Sequence, residues 1–244
     1  MIFSYDGHAP AFPPVIGPVL IARGLTVRYP GAAEPALKEF SLSVPAGARV
    51  ALVGSNGAGK STFLKAAAGL LPVESGELEV FGLPVGGCRC RVAYLPQQPE
   101  IDWRFPVTVE DLVLTGRDAH LGWFRRPGSA DRLRVRRALE RVGLAALGPR
   151  PIHELSGGQR QRALIARSLT QEADLLLLDE PLNAVDAETR FSFGELLAGL
   201  CREGKTVVMA THHLGGSGEE ADRAVYLSDG HESDAPCEHP EVPA

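Results

Sequence analysis

The stretch RVALVGSNGAGKSTFLKAAAGLL, residues 49–71, decides the fold. Its opening, RVALVG, is a short continuous apolar run of the kind found in strands buried on both faces. Its close, STFLKAAAGLL, is helical in composition. Between them GSNGAGKST, residues 54–62, satisfies the pattern G-x-x-x-x-G-K-[ST] and stands after a strand and before a helix, as that pattern requires. Gly54, Gly57 and Gly59 let the main chain curl without a Cβ in the way. Successive N–H groups from Ser55, Asn56, Ala58 and Thr62, with the helix N-terminus behind them, form an anion site. Lys60 is placed to reach β and γ phosphates, and the Ser61 hydroxyl to ligate magnesium.

Working outward, LIARGLTVRY and ALKEFSLSV alternate apolar and polar residues on either side of a Pro/Gly turn, which predicts antiparallel strands before residue 49. ADLLLLDEP and KTVVMATHH each repeat an apolar strand ending in polar residues, with helical sequence ahead of it. Alternating strands and helices predict a parallel sheet with its ligand at the strands' C-terminal ends. The fold class expected is α/β: a phosphate-loop NTPase with a parallel core sheet, an N-terminal antiparallel β subdomain and a helical insert. The boundaries expected are a flexible extension over 1–18, an ATPase domain over 19–230 with its helical part at about 99–170, and a disordered tail over 231–244.

In the insert, Thr108 and Asp111 suit a capping box opening VEDLVLTGR. Ser129 is the expected cap of a second helix with Val135, Leu139 and Val142 on one face and arginines over much of the rest. LLLLDE, residues 175–180, delivers Asp179 to the sheet edge to hold magnesium through water, with Glu180 beside the γ-phosphate to orient or deprotonate the attacking water. In HELSGGQRQRALIARSL, Ser156 and Gln159 form an S-x-x-Q box, and Gly157 and Gly158 leave the first helical turn uncovered. One phosphate loop needs one such cradle, so a second fits a site belonging to another copy of the chain.

At 244 residues and 44% hydrophobic the chain can bury a substantial core, and its net charge of -5 provides no global basic field for nucleic acid. Four cysteines without paired C-x-x-C spacing fit a reducing cytosol. No window reaches membrane-spanning length. Work at a membrane therefore implies a partner.

Leu155, Ser156, Gly157, Gly158 and Gln159, lying after the phosphate loop and ahead of Asp179, make the chain similar to the ATP-binding-cassette ATPases. The resemblance covers roughly residues 19–230 and implies ATP and Mg2+ as ligands. It implies that Tyr29 stacks on adenine, that Gln97 senses γ-phosphate and magnesium, that Asp186 belongs to a loop crossing a dimer interface, and that His212 contacts the γ-phosphate. It also implies a head-to-tail pair, a homodimer being simplest since the chain carries one set of motifs, with each ATP between one phosphate loop and the other LSGGQ. The run PEIDWRFPVTVEDLVLTGR resembles that of importers for manganese, zinc and iron, where this segment borders the groove that receives a permease helix. Asp102, Trp103 and Phe105 are its expected contacts, with both aromatics exposed. A position at the cytoplasmic face of the membrane, with an extracytoplasmic solute-binding protein as an indirect partner, follows from the same resemblance. The alternative is a single-cassette ATPase of iron-sulfur cluster assembly.

Overall fold

A computed structural model describes residues 17–87, 89–97, 101–121, 125–181, 187–212 and 221–233. Strand β3 (Arg49–Val53) is buried at every position, and this follows from its place inside a parallel sheet. It pairs in parallel with β8 (Thr206–Thr211) on one side and β9 (Arg223–Ser228) on the other. Beyond β8 lie β7 (Leu175–Asp179) and then β6 (Val92–Leu95), both parallel, so the sheet order is β10-β9-β3-β8-β7-β6. Strand β10 (His231–Ser233) pairs antiparallel with β9, so the first three residues of the stretch expected as a disordered tail are a strand.

The second sheet is antiparallel, with order β2-β1-β4-β5: β1 (Pro18–Val27), β2 (Leu37–Pro45), β4 (Ser75–Val80) and β5 (Leu83–Pro84). Strand β2 alternates buried and exposed side chains, as a sheet with one face on the core must. That face packs on helix α1 (Lys60–Ala67), where the rings of Phe40 and Phe63 meet edge to face at 5.1 Å. Phe63 is fully buried, and Phe63→Ala at such a position costs about 3–5 kcal/mol.

The other face of the parallel sheet is covered by α2 (Val109–Leu114), α4 (Ser129–Arg141), α5 (Gly157–Thr170) and α6 (Ala187–Arg202), which share one apolar cluster with Leu176, Leu178 and Met209; the one-turn α3 (Asp118–Leu121) follows α2. Thr108 caps α2 as expected: its side chain accepts from the Asp111 N–H, and Asp111 accepts from the Thr108 N–H at 3.0 Å. The cap of α4 is Gly128, one residue ahead of Ser129, because Asp131 accepts the Gly128 N–H at 2.9 Å and Ser129 is drawn into the first turn. Val135, Leu139 and Val142 are buried, while Arg132, Arg136, Arg137 and Arg141 face solvent.

Arg117 locks these helices together from a buried position. It donates to Asp131 at 3.0 Å, to the Thr170 carbonyl at 3.1 Å and to Glu172 at 2.7 Å, so one guanidinium ties α4 to the C-terminal end of α5. Gly116 lies against the same end, where a Cβ would stand 2.2 Å from the Arg167 carbonyl oxygen. No helix of the described residues is long and apolar enough to cross a membrane.

Candidate nucleotide site

The phosphate loop joins the C-terminal end of β3 to α1. Gly59 sits at φ 103°, a left-handed conformation open to glycine at little cost, and a Cβ there would stand 2.9 Å from the Ala36 carbonyl oxygen. At Gly54 a Cβ would come within 2.3 Å of the Leu227 carbonyl oxygen. These two glycines therefore admit the protein's own neighbouring backbone. Gly57, at φ +83° with open space around it, is the one that faces outward for a ligand.

Lys60 curls back over the loop and donates to the carbonyls of Gly54 at 2.7 Å and Ser55 at 2.9 Å. Its ammonium also stands 3.6 Å from Glu180 Oε1. Ser61 Oγ donates to Asp179 Oδ1 at 2.8 Å, and the Tyr94 hydroxyl donates to Asp179 Oδ2 at 3.1 Å. Burial pushes the Asp179 carboxyl upward; the two hydroxyl donors oppose that shift without cancelling it, and the neighbouring Glu180 charge adds to it. The Tyr94 phenol is also pushed up, by burial first and then by the Asp179 charge, so it stays a proton donor. Ser61 Oγ and Asp179 Oδ1 put two hard oxygens side by side at a helix N-terminus. That donor pair fits a small hard divalent cation that keeps waters and takes its other oxygens from a phosphate. Among the described residues there is no group of three or more His, Cys, Asp or Glu that would make an all-protein cage.

Glu180 gathers the ends of three strands. Gln97, just past β6, donates from Nε2 to Glu180 Oε2 at 2.6 Å. His212, just past β8, stands with Nε2 2.8 Å from Oε1. The Glu180 N–H reaches the Ala210 carbonyl at 3.2 Å, and its backbone lies at φ 48°. A non-glycine residue in the left-handed region stores strain, which is common where a side chain is held for chemistry. Gln97, Glu180 and His212 are thus brought together with Lys60, Ser61 and Asp179 in one cluster.

Tyr29 lies on the same side of the molecule, its hydroxyl 3.4 Å from Thr62 Oγ1 and its ring 5.6 Å from the Lys65 ammonium. Asp186 lies outside the described residues. The Ser156–Gln159 motif is elsewhere in the chain, at the N-terminus of α5. Ser156 Oγ accepts the Gln159 N–H at 3.3 Å, and Gln159 Oε1 accepts the Ser156 N–H at 3.0 Å, closing the expected box. Leu155 is buried beneath it, Gly158 is partly covered, and Gly157 is exposed with nothing within 4 Å of where a Cβ would be.

The two aromatics of the 101–107 segment part company. Phe105 is 61% exposed, as expected. Trp103 is not an exposed anchor: it packs partly buried on the helical cluster, with the Arg160 guanidinium 4.9 Å over its ring. Asp102 and Arg104 pair with each other at 3.1 Å in solvent. Tyr94 is the site residue that reading the sequence overlooked. A phenol in the otherwise apolar strand VAYL, three residues before Gln97, was the available signal.

Residues 37–183 match the family described as ABC transporter. The zinc transport system ATP-binding protein TroB of Treponema pallidum is 48% identical over 195 residues, covering 80% of this chain and 73% of TroB. The manganese transport system ATP-binding protein MntB of Bacillus subtilis is 42% identical over 181 residues, covering 74% of this chain and 72% of MntB. The chain also superposes on the dimeric, post-hydrolysis state of the ATP-binding cassette MJ0796 bound to ADP and phosphate, with a TM-score of 0.76 and 26% identity over 87% of this chain and 96% of that one.

Proposed function

The chain belongs to the ABC transporter family and is an ATPase, and from that premise we propose that it powers import of a transition-metal ion of the zinc, manganese and iron group through a separate permease. The observation that carries the ATPase chemistry is the convergence of Lys60, Gln97 and His212 on the Glu180 carboxylate. The names of the relatives support transport over cluster assembly, since both are transport-system subunits.

In this reading the donors that now face Glu180 turn to ATP. Lys60 takes β- and γ-phosphate oxygens, Gln97 and His212 approach the γ-phosphate, and the loop N–H groups cradle the rest. Tyr29 covers the adenine. Ser61 and Asp179 would hold magnesium, which would supply positive charge against the phosphate oxygens. Released from those contacts, Glu180 accepts a hydrogen bond from the attacking water. As the new bond to the γ-phosphorus forms, the bond to the β–γ bridging oxygen breaks; ADP and phosphate leave, and the water's proton passes to Glu180.

The Ser156–Gln159 turn serves a second copy of the chain. Two chains associate head to tail, each closing its Leu155–Gln159 segment over the other's nucleotide, with Asp186 at the interface. Attachment to the cytoplasmic face of the membrane comes through the permease, and a solute-binding protein acts from the far side. Phe105, with Asp102 nearby in the segment, is the contact offered to the permease, while Trp103 packs on the helical cluster. Phe105→Ala tests the coupling: uptake of zinc, manganese and iron in a strain relying on this chain should fall while ATPase activity of the isolated chain is kept. Unchanged uptake of all three ions would sink the coupling role.

A further inference from the structure

Strand β6 and the residues just past it send two side chains to the two carboxylates at the end of β7, and only Gln97 has a role in the mechanism above. The other is Tyr94. Parallel pairing sets Tyr94 beside Leu177, and because side chains alternate along a strand, Leu177 and Asp179 point to one face of the sheet. Leu177 belongs to the cluster that contains Phe63 and Leu64 of α1, and Tyr94 packs against that same cluster. The phenol is long enough to reach from the level of Leu177 to the carboxylate beyond it, where it donates to Asp179 Oδ2 at 3.1 Å. Ser61 of α1 donates to the other oxygen, Oδ1, at 2.8 Å. The carboxylate is held on both oxygens by donors from two different elements, and its own residue is only 3% exposed.

We propose that Tyr94 is a positioning residue for the divalent cation: by engaging Oδ2 it fixes the rotation of the Asp179 carboxylate and keeps Oδ1 turned beside Ser61 Oγ, the hard-oxygen pair that the cation needs. Packing alone does not call for the hydroxyl. Val92, two residues back along β6, packs on the same cluster with no polar atom at all. An outer partner of this kind orients a metal ligand without touching the metal. The inference rests on the reading of Asp179 and Ser61 as cation holders.

Tyr94→Phe removes the hydroxyl and leaves the ring. Mn2+ titrated into the ATP-bound, full-length Glu180→Gln chain, followed by electron paramagnetic resonance, reads cation binding without turnover. Tyr94→Phe in that background should weaken Mn2+ binding about tenfold, the lower end of what loss of an outer-shell partner costs. In the chain with Glu180 intact, the Mg2+ concentration for half-maximal hydrolysis should rise by the same factor, with kcat recovered at saturating Mg2+. Unchanged Mn2+ binding together with a lowered melting temperature would overturn the proposal and leave the hydroxyl a structural part. Failure of the Glu180→Gln chain itself to bind Mn2+ with ATP would overturn the underlying assignment of Asp179 and Ser61 as well, so the two failures are told apart.

Discussion

The molecule presents two glycine-lined helix N-termini, and they are furnished in opposite ways. The N-terminus of α1 is enclosed by its own chain: Lys60 is 4% exposed, Asp179 and Glu180 stand beside it, and Gln97 and His212 arrive from neighbouring strands. The N-terminus of α5 has a closed capping box and open space at Gly157, and the chemistry of the site lies on other elements. A helix N-terminus attracts phosphate through its free N–H groups and its dipole, but it supplies no nucleophile, base or cation. In the proposed pair the first serves as the reaction site and the second as its cover, and that asymmetry is the physical reason the pair would run head to tail.

The comparison breaks most readily at Glu180. Glu180→Gln keeps size and hydrogen bonding but removes the base, so steady-state hydrolysis should fall by about 10²–10⁴-fold. Nucleotide binding by calorimetry should persist, and a nucleotide-bound dimer should accumulate on gel filtration. Hydrolysis at the original rate would remove Glu180 from the mechanism. Ser156→Arg challenges the other helix. It should leave ATP binding to the monomer intact while lowering turnover by roughly 10²–10³-fold, the scale of losing a preorganised donor. Lys60→Ala should weaken ATP binding itself, by roughly thirtyfold for a lost charged hydrogen bond of about 2 kcal/mol. The contrast sharpens in a mixture: Lys60→Ala chains supply an intact α5 end and Ser156→Arg chains an intact loop, so mixing the two inactive variants should restore part of the activity. No recovery would argue against sites shared between chains.

A smaller effect separates the two helices by pH. Burial raises the Asp131 carboxyl, but the Gly128 N–H and the Arg117 guanidinium outweigh it and hold the group below the usual carboxylate range. Glu172 is also raised by burial and held lower on balance by Arg134 and Arg117. A depressed folded-state pKa contributes stability that is present above the unfolded value, about 4 for such groups, and lost as pH falls through the folded value. The melting temperature should therefore drop as pH is lowered below about 4, and Asp131→Asn should flatten that dependence. Since Arg117 clamps the C-terminal end of α5, amide exchange at acid pH should rise first in α4 and α5 and only later in α1.

Features made by neighbours along the chain are legible in the string of residues alone. Helix α1 and the boxes at Thr108–Asp111 and Ser156–Gln159 arise from contacts three or four residues apart, so their spelling is their structure. At the start of α4 the expected cap, Ser129, gave way to Gly128, because Asp131 takes the Gly128 N–H. Which side chains meet across strands distant in sequence depends instead on how the sheet is assembled. Tyr94 and Asp179 are 85 residues apart, and β6 came to lie next to β7 through the order of the sheet, which no local period encodes. Trp103 and Phe105 make the same point, since two aromatics two residues apart were sorted into packing and surface by where α5 placed Arg160. Local hydrogen bonds can be read from a string of residues. Burial and long-range hydrogen bonds depend on how the layers stack, and that is fixed only when the whole chain has closed on its core.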